Sequence, residues 1–267
     1  MINVPSEFML DINTVYPYGN YVVFEKWLSQ QDIPNTKREY LPIQWTAYFV
    51  NNQYGQDKQA LKKLQDYIYS LPKDKSYWTC VQYDDGILVD VSGIDLLQFS
   101  MSKDIGVKIP LLSMPHQFKQ TEEKKLFASF IGTYTHPIRE HIFKIRNQEY
   151  YISQEQHSEN QFCDIVSKSI FGLCPRGYGL SSFRIGECLQ YDTIPVYISD
   201  EFIIPFGLNF NDFGVIIQEK DAHRIEEILA AIPFLEIIEK QNNIKDIYQR
   251  YYTYDGAFNE IKQYLES

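Results

Sequence analysis

Along the second half of the chain, short apolar runs alternate with segments whose apolar residues recur at helical spacing. Leu126 to Gly132 predicts a buried strand, and Pro137 to Arg146 a helix. Tyr150 to Ser153 predicts a second strand and Asn160 to Lys168 a helical link. Ile170 to Cys174 predicts a third strand, Ser181 to Gln190 a helix, Ile194 to Ile198 a fourth strand and Phe213 to Ile217 a fifth. Asp221 can cap a helix running to Ile232, with Glu226 and Glu227 near its start. Strands and helices in this rhythm imply right-handed crossovers and a parallel sheet covered on both faces.

The first half is less regular. Tyr21 to Leu28 and Lys58 to Ser70 predict helices, the latter with Leu61, Leu64, Tyr67 and Ile68 on one face. Trp45 to Asn51, Trp78 to Gln82, Ile87 to Val91 and Val107 to Leu112 predict strands. Pro110, Pro115 and the polar stretch Gln117 to Lys125 suggest a linker. Ile244 to Leu265, rich in Tyr, predicts a closing helix. The organisation expected is therefore a first α/β domain over 1–122, a second over 123–243, and a C-terminal helix over 244–267 returning toward the first domain. Ligands of open α/β sheets bind at the carboxyl ends of the strands, which places the expected site between the two halves.

Composition narrows the classes of partner. With 267 residues, 44% of them hydrophobic, the chain can bury a large core. A net charge of -10 disfavours a nucleic-acid backbone or an anionic membrane as main partner. No apolar run is long enough to cross a bilayer, and no basic region followed by an apolar stretch marks a signal peptide. Cys80, Cys163, Cys174 and Cys188 show no CxxC spacing and no histidine at metal-ligand spacing. Reduced thiols in a soluble cytoplasmic protein are the expectation, in a bacterial or viral setting or in a chain trimmed of its anchor.

The candidate chemistry concentrates between Cys174 and Glu187. This stretch follows a predicted strand and opens a helix, and Gly177 and Gly179 let the backbone turn tightly against a ligand. Ser181 or Ser182 can cap the helix, whose first amides and positive dipole end form an anion site. Arg184 and Glu187, three residues apart, share a helical face. A guanidinium there can fork onto phosphate oxygens, and a carboxylate one turn on can accept from ribose hydroxyls. The same spacing is also that of a plain intrahelical ion pair.

These segments resemble the exostosin-like glycosyltransferases. Ser169, Phe171, Leu173, Pro175 and Gly177 are similar to that family's Ser-x-Phe-Cys-Leu-x-Pro-x-Gly segment. Ser182, Arg184 and Glu187 match its Ser-x-Arg-x-x-Glu. Ile194, Pro195 and Val196, with Asp200 and then Ile204, Pro205 and Phe206, match its Ile-Pro-Val and trailing Leu-Pro-Phe. Upstream, Phe130, Gly132 and Arg139 are similar to its Phe-x-Gly strand end and following arginine. Departures are Asp192 and Thr193 in place of Gly-Cys, and Cys188 in place of Ala. The first half matches only at Tyr77, Trp78, Asp84 and Asp85.

The resemblance implies a GT-B fold, two Rossmann-like α/β domains facing each other across a cleft. It also implies an inverting transfer of a sugar from a UDP-sugar donor to a carbohydrate hydroxyl. The donor-binding set is then Arg184, Glu187, Arg139, Ser182, Ser181, Gly177, Tyr178, Gly132 and Pro175. No Asp-x-Asp triplet occurs, so no metal and no cofactor is expected, and the leaving pyrophosphate would fall to arginines and helix amides. The base should come from the first half, at Asp85 or Asp84 beyond a predicted strand end. Asp85 and Gly86 also form an ordinary turn signal. His116 and Asp90 are further candidates for the base, and His136 for the phosphates. A catalytically inactive nucleotide- or glycan-binding module is the alternative, and a hydrolase using Cys174 or Cys188 is disfavoured because neither has a histidine close in sequence.

Overall fold

A computed structural model describes residues 2–12, 23–103, 105–118 and 123–267. Tyr21 and Val22, which the helical reading included, and part of the expected linker lie outside the described residues. Two parallel sheets organise the rest, one in each half, and the predicted α/β class is what the structure shows.

The first sheet has the order β1 (Glu39–Tyr40), β2 (Ser76–Val81), β3 (Asp95–Ser100), β4 (Val107–Lys108). Around it lie α1 (Phe24–Leu28), α2 (Trp45–Asn51) and α3 (Lys58–Ser70). Asp57 caps α3 by accepting from the amides of Gln59 and Ala60, and the helix buries Ala60, Leu64 and Ile68. Leu64 and Ile68, taken fully out of water, each contribute about 1.5–3 kcal/mol.

Three expectations for this half are corrected. Trp45–Asn51 is α2, not a strand. Trp45 through Val50 are all buried, and an apolar run buried all round has no periodicity to separate helix from strand. Ile87 to Val91 forms no strand; its apolar side chains pack as a loop on the first core. β3 was not anticipated, although it is paired with β2 along its full length.

In the second half the order is β6 (Tyr150–Ser153), β5 (Leu126–Ile131), β7 (Ser169–Pro175), β8 (Ile194–Ile198), β9 (Val215–Ile217). All four pairings are parallel; α4 (Arg139–Phe143), α5 (Glu159–Ser167) and α6 (Phe183–Gln190) connect the first four strands, 3-10 turns lead to β9, and α7 (Ile225–Ala230) follows it. Asp221 does not cap α7: it lies inside the 3-10 turn Glu219–Arg224 that precedes it. From β5 the chain steps through α4 to β6 on one side, then through α5 back to β7 on the other. The connections therefore diverge at the carboxyl ends of β5 and β7, and such a switch point opens a crevice.

The chain ends with α8 (Phe234–Ile247), a π-helical turn at Tyr248–Tyr252, and α9 (Tyr254–Glu266). The single closing helix of the sequence reading is thus two helices broken at Tyr252 to Tyr254. Tyr254, Ala257, Phe258 and Ile261 of α9 pack with Phe24, Leu28, Trp78 and Phe99, so the last helix belongs to the first half's core. Across the cleft, Lys103 pairs with Glu201.

Candidate active site

The β5–β7 crevice collects most of the residues singled out above. Gly132 follows β5, and a Cβ there would lie 2.9 Å from the Phe130 ring. Arg139, at the start of α4, points into the same space. Its Nε donates to Arg176 O at 3.1 Å, Nη1 to Thr133 O at 2.9 Å and Nη2 to Pro175 O at 3.3 Å, and its guanidinium lies over Phe130. All three acceptors are main-chain carbonyls, so Arg139 keeps its positive charge uncompensated by any carboxylate among the described residues. Burial, and then Arg184 beside it, push its pKa down to about 10. Two guanidiniums held together in a partly dry crevice make a site that an anion would relieve.

The loop between β7 and α6 forms the other wall. A Cβ on Gly177 would sit 3.2 Å from both Arg139 Nη2 and Thr135 Oγ1, so this glycine lets the loop close onto the arginine. Ser182 is the residue that caps α6, with Oγ accepting from the Arg184 amide at 3.4 Å. Ser181 precedes it, half-buried. Arg176 donates from Nη2 to Tyr178 O at 3.1 Å and lies 3.8 Å from Glu219. His136 lies 4.0 Å from the same Glu219.

Arg184 and Glu187 do form the intrahelical pair. Arg184 Nη1 donates to Glu187 Oε2 at 2.8 Å and Nη2 donates to Ile131 O at 2.6 Å, while the guanidinium stacks 4.3 Å above Phe162. Glu187 is only 3% exposed. Its other oxygen lies 3.4 Å from His116 Nε2, whose Nδ1 is 2.8 Å from Glu159. Burial works against the charged imidazole, but Cys163, Glu187 and Glu159 overcome it and push His116 up to about 11. Burial likewise opposes the Glu187 carboxylate, yet Arg184 and His116 hold its pKa below the usual value. His116 is thus buried between α5 and α6, where the two glutamates favour its charged form.

From the first half, the turn after β2 reaches the glycine loop. Tyr83 to Gly86 is closed by the Gly86 amide donating to Tyr83 O at 2.9 Å, and Gly86 has φ 72°, a left-handed backbone. The two aspartates are therefore in a turn, but one that joins parallel strands, not a hairpin. Asp84 lies flat against Gly179: a Cβ there would fall 1.9 Å from Asp84 Oδ1. Burial, and then Asp85, raise Asp84 to about 6, with Arg176 pulling the other way. Asp85 is exposed and accepts from Tyr178 OH at 3.1 Å, while the Tyr178 ring is 72% exposed. Asp90 lies elsewhere, bonded to Tyr69 and Ser92.

One buried residue of this region carried no signal in the sequence. Glu25 on α1 is 1% exposed and accepts from the Thr46 amide at 2.9 Å, Thr46 Oγ1 at 2.7 Å and the Gln82 amide at 2.6 Å. It fixes the start of α2 to the end of β2, two residues before Asp84. A lone acid among Phe24, Trp27 and Leu28 reads as an ordinary helix residue, which is why it passed unnoticed. Among the described residues, no three His, Cys, Asp or Glu side chains converge as metal ligands.

With this geometry in place, the comparisons with known proteins are decisive on one point. The Exostosin GT47 domain matches residues 75–232, more than half of the chain. The chain belongs to the exostosin GT47 family. It is 30% identical over 113 residues to a rice (Oryza sativa subsp. japonica) protein named probable glucuronosyltransferase, covering 41% of this chain and 26% of that one. It is 24% identical over 251 residues to the exostosin-1 homolog of Caenorhabditis elegans, covering 72% of this chain and 65% of that one. The chain therefore spans between a quarter and two-thirds of these relatives' length. Among solved structures, TarM is similar with a TM-score of 0.45 at 7% identity, over 77% of this chain and 53% of that one. No helix among the described residues is long and apolar enough to cross a membrane.

Proposed function

We propose that this chain transfers a sugar from a UDP-sugar donor to a carbohydrate hydroxyl, with inversion and without a metal. The observation that supports this reading best is the β5–β7 switch point. There Arg139, Arg184 and a capped helix start converge on one crevice, and Asp84 faces them from the other half. In this reading the diphosphate lies on the amides from Gly177 to Ser182, between the two guanidiniums. Gly132 and Pro175 keep the walls close, and the Tyr178 ring offers a face to the base or sugar. Glu187 acts by holding Arg184 in place, since its carboxylate is taken up by Arg184 and His116.

Asp84 takes the role of base ahead of Asp85. As the acceptor oxygen attacks the anomeric carbon, its proton passes to Asp84 and the bond to the diphosphate breaks on the opposite face. UDP leaves with the electron pair, and Arg139 and Arg184 stabilise the charge developing on it. A carboxyl raised to about 6 is ionised at neutral pH and remains basic enough to accept that proton. Because Asp84 touches Gly179 here, the halves must part for the sugar to enter. The chain crossings at Pro110 to Pro115 and Tyr252 to Tyr254 are where that rotation belongs.

The test is UDP release from a panel of UDP-sugars with oligosaccharide acceptors in EDTA, across pH 4.5–9. Turnover that rises with pH through about 6 is expected, because the base must lose its proton first. Activity found only with added divalent metal would remove the metal-free mechanism. Stabilisation by UDP with no turnover on any acceptor would favour the inactive binding module.

A further inference from the structure

A cavity of about 820 Å³ opens at the far end of α6 from the glycine loop. Eight residues at a rise of 1.5 Å put the two ends about 12 Å apart. Neither the arginines nor the aspartates of the candidate active site line this cavity. Its walls come from both halves and from both chain crossings: Trp27 of α1, Met114 and Pro115 of the linker, Tyr248 of the π turn, and Asn259 and Gln263 of α9.

The lining has a definite chemistry. Gln249, Asn259 and Gln263 present exposed side-chain amides, each able to donate and to accept, that make no hydrogen bond to other described residues. Trp27 and Tyr248 add flat apolar surface with a polar edge. Gln190, also in the wall, is already taken up, donating to His116 O at 2.7 Å and accepting from the His116 amide at 3.0 Å. The charged residues are Arg250, paired with Glu260 at 2.6 Å, and Asp255, leaving one net negative charge. A void of this size suits an extended small ligand, an anionic one is disfavoured, and rings with paired donor–acceptor side chains suit hydroxyls.

We infer that this groove binds a neutral carbohydrate chain at a site separate from the transfer cleft. The choice of sugar as ligand class rests on the glycosyl-transfer reading as well as on the lining. Such a ligand would touch both halves across the hinge and hold a growing glycan on the enzyme between transfers.

The three tryptophans supply the readout, because Trp45 and Trp78 are fully buried while Trp27 is open to the groove. Xylohexaose and cellohexaose are titrated into the full chain saturated with UDP, with tryptophan fluorescence and calorimetry recorded together, and a heparin hexasaccharide as anionic control. At least one neutral hexasaccharide should bind and change the fluorescence, and Trp27→Phe should abolish that change. The Asn259→Ala/Gln263→Ala double variant, altered only at exposed positions of α9, should bind it at least tenfold more weakly with UDP affinity unchanged. Asp84→Ala should bind it as the wild type does. Wild-type affinity in the double variant, no binding by either neutral probe, or tighter binding of the heparin fragment would overturn the proposal. If UDP fails to bind while the hexasaccharide still binds in the groove, the donor reading falls and the groove stands.

Discussion

Gly179 carries the sharpest consequence of the closed cleft. The added methyl of Gly179→Ala would lie 1.9 Å from Asp84 Oδ1, 2.2 Å from its Cγ and 2.7 Å from Oδ2. Non-bonded contacts settle near 3.5 Å, so the carboxylate must retreat by about 1.5 Å. Gly179 does not have a positive φ, so the backbone accepts alanine, and the nearest clash is with the Asp84 side chain. Misplacing a catalytic group by about 1 Å costs on the order of 100-fold, equivalent to about 2.7 kcal/mol of barrier. We expect kcat to fall by about that factor, with UDP affinity within about threefold of wild type because neither arginine moves. Asp84→Ala should lose the full contribution of the base, about 10²–10⁴-fold. The double variant should be no slower than Asp84→Ala, since the methyl then has nothing to displace. Steady-state UDP release for the four proteins measures this cycle. Wild-type turnover in Gly179→Ala, or losses that multiply in the double variant, would refute the assignment of Asp84.

Other expectations follow from the same geometry. Arg184→Ala should weaken UDP binding about 10- to 100-fold, the worth of a charge-assisted phosphate contact; unchanged affinity by calorimetry would show the pocket is elsewhere. His116→Gln should cost about 2–4 kcal/mol in urea melts at pH 7 by removing a buried imidazolium from Glu187. A histidine raised to about 11 contributes its full stabilisation below the unfolded pKa of about 6.5, loses it progressively above that, and keeps some of it until pH passes about 11. The difference from wild type should therefore persist at pH 9, and its disappearance by pH 8 would show a neutral ring. Glu25 is raised by burial from 4.5 to about 7, so the folded state holds its proton more tightly than the unfolded one. Stability from this group is highest below about pH 4.5 and falls by roughly 3 kcal/mol as pH rises to 7. Glu25→Gln should remove that decline when melts at pH 5 and pH 8 are compared, and an unchanged pH slope would contradict it.

The sequence made the second half legible because its strands are buried on both faces and read as plain apolar runs, Ile194 to Ile198 most clearly. The same property hid α2, where Trp45 to Val50 are buried all round and helix and strand look alike. β1, of two residues, is too short to leave a pattern, and of the strand expected over Val107 to Leu112 only Val107–Lys108 forms one, as β4. At the site, contacts within one turn of chain were readable: the Ser182 cap, the Arg184–Glu187 face and the glycines before them. Contacts made by folding were not. Asp84 against Gly179, His116 behind Glu187, and Glu25 beneath Gln82 each join residues distant in sequence, and no spacing announces them.

A diphosphate should sit where β5 and β7 diverge, and a crystal structure with UDP soaked in would reveal its position. Both phosphates should lie against the amides between Gly177 and Ser182, within hydrogen-bond distance of Arg139 or Arg184. Nucleotide density outside this crevice, in the hinge groove for example, would contradict this placement.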